Sequence, residues 1–130
     1  ILLEGWCVGA QSRFIQSFSE NEWEAEHDQH CRWKVWTKNA AVQYESIWRA
    51  IDLSVMLFQN SFERVIDARW QQEKDLLKRS GESQFQSREE VVEFCQYYCS
   101  WTRGMCAYFP DLADLVFYCL EGYSYAARNT

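Results

Sequence analysis

The sequence predicts an all-α fold: a four- or five-helix bundle packed around a long central third helix. Two observations lead there. Seven Trp, seven Tyr and eight Phe share 130 residues with one Pro and five Gly, so large side chains must be buried and turns are few. Apolar residues also recur at three- and four-residue steps over long stretches. At this length one domain, residues 1–130, is expected.

Helix punctuation supports the segments in order. A first helix is expected over Leu3–Phe18. Ser19-Glu20-Asn21-Glu22 reads as a capping box that opens a second over Glu20–Lys38. The third runs from Ala40 to Arg79 and is expected to continue through Gln59–Ser61, the one place a break is considered. Its stripe of Tyr44, Ile47, Trp48, Ile51, Val55, Phe58 and Phe62 keeps phase throughout. Lys78-Arg79-Ser80-Gly81 reads as its stop: cations in a last turn, then glycine. Ser87-Arg88-Glu89-Glu90 is a second capping box and opens a fourth helix over Arg88–Phe109. Asp111 is a candidate N-cap for a fifth over Leu112–Ala127. The core is placed on Ile47, Ile51, Val55, Phe58, Phe62, Cys95, Cys99, Phe109, Val116 and Cys119.

The net charge of −6 disfavours a phosphate-backbone partner, and acids and bases are interspersed, as in Glu73-Lys74-Asp75. No nucleic-acid role is expected. Neither is a membrane span, since the longest apolar stretch, Leu53–Phe58, is far too short. The chain begins Ile1-Leu2-Leu3 without Met, which suggests a mature or trimmed chain.

Six cysteines admit two readings. Cys95, Cys99 and Cys106 share one helix face and bridge poorly with one another, so a clamp would join them to Cys7, Cys31 and Cys119. Alternatively, all six are small reduced core residues.

No Gly-rich phosphate loop, nucleophile elbow or aspartate-rich diphosphate motif is present, and no cofactor is implied. A non-enzymatic domain that binds a protein partner is therefore expected, through an aromatic-rich face carrying Trp23, Trp33 and Trp36. A second reading is a carrier of an apolar small molecule held between the third and fourth helices by Trp48, Met56, Tyr98, Trp101 and Met105. A third is a zinc site, with His27 or His30 and Cys31 joined by Cys95 and Cys99 as four ligands. After core stripes absorb Tyr44, Trp48, Phe58, Phe62 and Phe109, two aromatic patches stay unexplained: Trp33/Trp36, and Tyr97/Tyr98/Trp101.

Overall fold

In the computed structural model, residues 1–120 and 124–127 are described. The chain is α-rich but not all-α. Among the described residues, five helices, α1 (Glu22–His27), α2 (Arg32–Trp48), α3 (Phe62–Ser80), α4 (Arg88–Gln96) and α5 (Cys99–Tyr108), accompany three strands, β1 (Val55–Phe58), β2 (Leu115–Cys119) and β3 (Tyr125–Ala127). The strands form one mixed sheet in the order β1-β2-β3, with β1 parallel to β2 and β3 antiparallel to it.

This corrects the expected bundle. The long third helix does not exist: its span holds the end of α2, then β1, then most of α3. The fourth breaks at Tyr97–Tyr98 into α4 and α5. The first is a turn and a 3₁₀ turn at Ser12–Phe14. The fifth contains β2 and β3 instead, and Asp111 ends a 3₁₀ turn rather than capping a helix. Positions 121–123 of that segment lie outside the described residues.

The physical reason lies in two short apolar runs. Ser54-Val55-Met56-Leu57-Phe58 and Leu115-Val116-Phe117-Tyr118-Cys119 are rich in β-branched and aromatic residues, and such runs fit a strand as well as a buried helical turn. Pairing decides between them. Val55 pairs with Leu115 and Phe58 with Tyr118. The Asp114 carboxylate accepts from both Ser54 N and Ser54 Oγ at 2.7 Å, which pins the start of the register. Met56 and Val116 point to the buried side of the sheet; Val55, Leu57 and Leu115 point outward and are exposed.

Local punctuation fares better. Ser87 caps α4 by accepting from Glu90 N, and Gly81 (φ 75°) ends α3 with its N–H on Leu77 O. Ser61 caps α3 within the Gln59–Ser61 stretch that the continuous third helix was expected to run through. The second-segment box is shifted by two residues: Asn21, not Ser19, caps α1 by accepting from Glu24 N, and the Glu24 carboxylate reaches back to Glu20 N at 2.8 Å.

Two apolar clusters hold the helices. Ala10, Phe14, Ile15, Trp101 and Met105 pack α5 against the N-terminal segment, and Ile66, Val91 and Cys95 join α3 to α4. Of the expected core, Cys95, Cys99, Val116 and Cys119 are buried. Ile51, Phe58, Phe62 and Phe109 are half-buried, and Ile47 and Val55 are exposed. The all-helical phase placed these last two inward; with the chain turning at residues 49–54, their faces no longer meet a neighbour.

Candidate functional site

The functional candidate is α2, a helix turned inside out. Its start is held by Asp28, whose carboxylate accepts from Trp33 N at 3.2 Å and Lys34 N at 2.9 Å. Cys31 precedes it in the left-handed region (φ 51°), which turns the chain sharply out of α1.

The side of α2 facing the body is polar. Lys34, 3% exposed, is the one buried residue of its 17. Its ammonium lies 2.5 Å from Glu20 Oε2, 2.6 Å from Glu24 Oε2 and 3.2 Å from Ser100 Oγ at the start of α5. Ser100 in turn donates to Glu24 Oε1 through a short hydrogen bond. Burial alone would raise the Glu24 carboxyl; the Glu20 N–H, Lys34 and Ser100 outweigh it and hold the group below its ordinary value. Further along the same side, Lys38 donates to Ile15 O, Glu45 accepts from Ser12 N and Oγ, and the Trp48 indole donates to Ala10 O. Positions 34, 38, 45 and 48 step by four, seven and three, one helical face.

Trp48 apart, the large apolar side chains of α2 stay substantially exposed. Trp33, Trp36, Tyr44 and Ile47 are 46%, 61%, 52% and 48% exposed. Trp33 stacks on Trp36 (5.2 Å between ring centroids) and stands edge-on to Tyr97 (6.3 Å, 85°); Tyr44 stacks on Trp48. Together with Tyr98 and Trp101 these rings line an open-sided groove of about 430 Å³, floored by Ala40 and Ala41 and closed at one side by Cys7 and Val8.

Two of the groove's indole N–H groups are already used within the chain. The Trp101 indole N–H is directed at Thr37 Oγ1 and that of Trp48 at Ala10 O. Trp6, stacked on Tyr98, gives its N–H to Thr102 Oγ1. Burial pushes the Cys7 thiol at the rim up to about 11, which favours its protonated form.

The sequence candidates sort accordingly. Trp33 and Trp36, expected at a partner face, and Trp48, Tyr98 and Trp101, expected at a ligand, lie on one groove. Trp23 stands next to it, its ring edge-on to Tyr97 at 4.6 Å and stacked on His27. Met56 and Met105 do not line it: Met56 is buried under the sheet and Met105 in the cluster around Phe14. The metal candidates are not brought together. His27 Nδ1 lies 3.0 Å from Trp23 O, His30 is exposed, Cys31 faces Ser19, and Cys95 is buried among Ile66 and Val91. Among the described residues no three His, Cys, Asp or Glu side chains gather to hold a metal ion. All six cysteines are free thiols, so the clamp of three against three is not formed.

A larger cleft of about 860 Å³ lies between α1 and α4. Its lining mixes charged groups, including Glu22, Glu89 and Glu93, with Trp23, Phe62 and Val92, and its Arg88 is committed to Glu63 and Asp67. It lacks the apolar convergence of the aromatic groove.

Sequence reasoning missed the polar ladder under α2. The signal was present: Lys34, Lys38 and Glu45 share a face, and taking that face as inward would have turned Trp33, Trp36, Tyr44 and Ile47 outward.

No protein-family model matches this chain, and neither a curated protein nor a solved structure shows a match. No described helix is long and apolar enough to cross a membrane.

Proposed function

We propose that this chain is a non-enzymatic binding module that captures a helical segment of a protein partner on the outward face of α2. The observation that carries the reading is the inversion of that helix: its one buried residue is a lysine, while Trp33, Trp36, Tyr44 and Ile47 stay about half exposed. Exposed apolar groups in one contiguous run mark interaction surfaces. Positions 33, 36, 40, 44 and 47 step by three, four, four and three, the spacing at which one helix packs on another. Trp33 and Trp36 stack on each other, and the Trp48 and Trp101 indoles are held by hydrogen bonds, so little side-chain freedom is lost on docking.

The test uses helical peptides selected for binding to the intact chain. Trp33→Ala and Trp36→Ala should each weaken such a peptide by about ten-fold or more while circular dichroism stays unchanged. Selected peptides that bind both variants undiminished would end the reading.

The groove's volume of about 430 Å³ also falls in the range of small-molecule sites. That supports the second reading, a carrier of an apolar small molecule. Native mass spectrometry distinguishes it: a co-purifying apolar ligand lost on Trp101→Phe favours the carrier, and a bare chain favours the peptide.

A further inference from the structure

We infer that the helix docking on α2 is the α2 of a second copy of this chain, packed antiparallel across a two-fold axis at Ala40. The inference rests on the helix-docking reading and names the partner.

The stripe is symmetric about its own centre. Trp33 and Trp36 lie seven and four positions before Ala40; Tyr44 and Ile47 lie four and seven after it. Turning such a helix end for end lays the stripe back on itself, which is what a contact between two identical patches requires. Size follows the same symmetry. The small residue falls at the middle, where two crossing helices approach most closely, and the large ones fall toward the ends, where the axes diverge. Antiparallel packing sets Trp36 of one copy against Tyr44 of the other, and Trp33 against Ile47, along a stripe about 21 Å long.

Charge points the same way. The chain carries 13 Lys and Arg against 19 Asp and Glu, so two copies repel where their charged surfaces meet. The outer side of α2 avoids that cost. Lys34, Lys38 and Glu45 are turned onto the body, held by Glu24, Ile15 O and Ser12. Arg49 follows Glu45 by one turn and lies opposite the stripe. The exposed residues that flank the stripe, Val35, Asn39, Val42, Gln43 and Ser46, are uncharged. Arg32 is the single charged residue among the exposed ones of α2. In the antiparallel arrangement it comes to the carbonyl end of the other helix, which attracts a cation. A parallel pair would set the two copies of Arg32 side by side.

The test is sedimentation equilibrium on the intact chain from about 1 μM to about 1 mM. A species of twice 15.6 kDa should form, and Trp36→Ala should weaken it about ten-fold or more with circular dichroism unchanged. Raising salt from about 0.05 M to about 0.5 M should tighten it, because screening removes repulsion between two acidic chains whose contact carries no ion pair. Ala40→Glu and Ala40→Lys should each be monomeric, since position 40 meets itself across the axis, and an equimolar mixture of the two should dimerise again. A dimer unchanged in Trp36→Ala and Ala40→Glu, a dimer that salt disperses, or a mixture that stays monomeric overturns the inference. A chain that is monomeric throughout overturns it as well. Helix docking itself then stands if a selected helical peptide binds and loses affinity in Trp36→Ala, and both fall if none binds.

Discussion

Lys34 Nζ lies 2.6 Å from Glu24 Oε2 in a site where the lysine side chain is 3% exposed, and this pair joins α1 and α2 to Ser100 of α5. α1 has no buried residue of its own. Its attachment is this polar cluster together with the Trp23–Tyr97 ring contact. Removing the cation strands two carboxylates. Lys34→Met should cost about 3 kcal/mol in urea unfolding, and pairing it with Glu24→Gln should cost less than the sum of the two singles. Strict additivity would show that the pair is not coupled.

Stability should fall on the acid side. Glu24 is held below its ordinary value, as described above. Glu73 is held low chiefly by the Ser83 hydroxyl, which outweighs its burial, with further help from the Gln84 and Phe85 N–H groups and Arg69. A carboxyl lowered in the folded state contributes stability that is present above the unfolded value, near 4.5, and is lost as pH falls through the folded one. Midpoints measured from pH 7 downward should hold steady and then drop below about pH 4.5. Glu73→Gln should flatten that limb and speed amide exchange at Gln84 and Phe85, whose N–H groups it releases.

Two glycines separate crowding from backbone strain. A Cβ on Gly104 would collide with Phe14 O, because α5 crosses the N-terminal segment backbone to backbone. Gly104→Ala should cost about 2 kcal/mol or more. Gly81 has open space around its Cβ position but sits at φ 75°, so Gly81→Ala should cost about 1 kcal/mol. Thermal melts of the pair check the order.

Two tryptophans of the groove should behave oppositely. Trp36 is 61% exposed and Trp101 is 9% exposed. Trp36→Ala should leave stability within about 0.5 kcal/mol. Trp101→Ala should cost about 3 kcal/mol through the cavity it leaves beside Phe14 and Met105. Equal losses would place the Trp36 ring in the core and remove the docking face.

Six free thiols should titrate in denaturant without reductant. In the native chain Cys95 should resist alkylation, because it is fully buried and its thiol is raised to about 11 by that burial. Rapid labelling of Cys95 at neutral pH would contradict the packing of α3 on α4.

Parts of the fold were readable along the chain because their causes are local. Ser87 and Glu90 open a helix through neighbouring N–H groups, and Gly81 ends one through a conformation that other residues resist. The strands were not readable. Ser54 and Asp114 are sixty positions apart, and a window that sees Val55–Phe58 alone finds an apolar run in phase with the helices on either side. Helical periodicity joined three separate elements into one because a four-residue strand spans barely one helical turn.

The site divides along the same line. The residues alone set Trp33 with Trp36, and Tyr97 with Tyr98 and Trp101, as rings that no core stripe absorbed; adjacency on a helix is enough to reveal such patches. Only the tertiary structure decided that the two patches form one groove, and that Tyr44 and Ile47 face outward with them. Burial depends on what lies opposite a helix face. Opposite α2 lie Glu20, Glu24, Ser100, Ile15 O and Ala10 O, polar groups contributed from distant positions. Those partners drew Lys34, Lys38, Glu45 and Trp48 inward, and the rings were left at the surface.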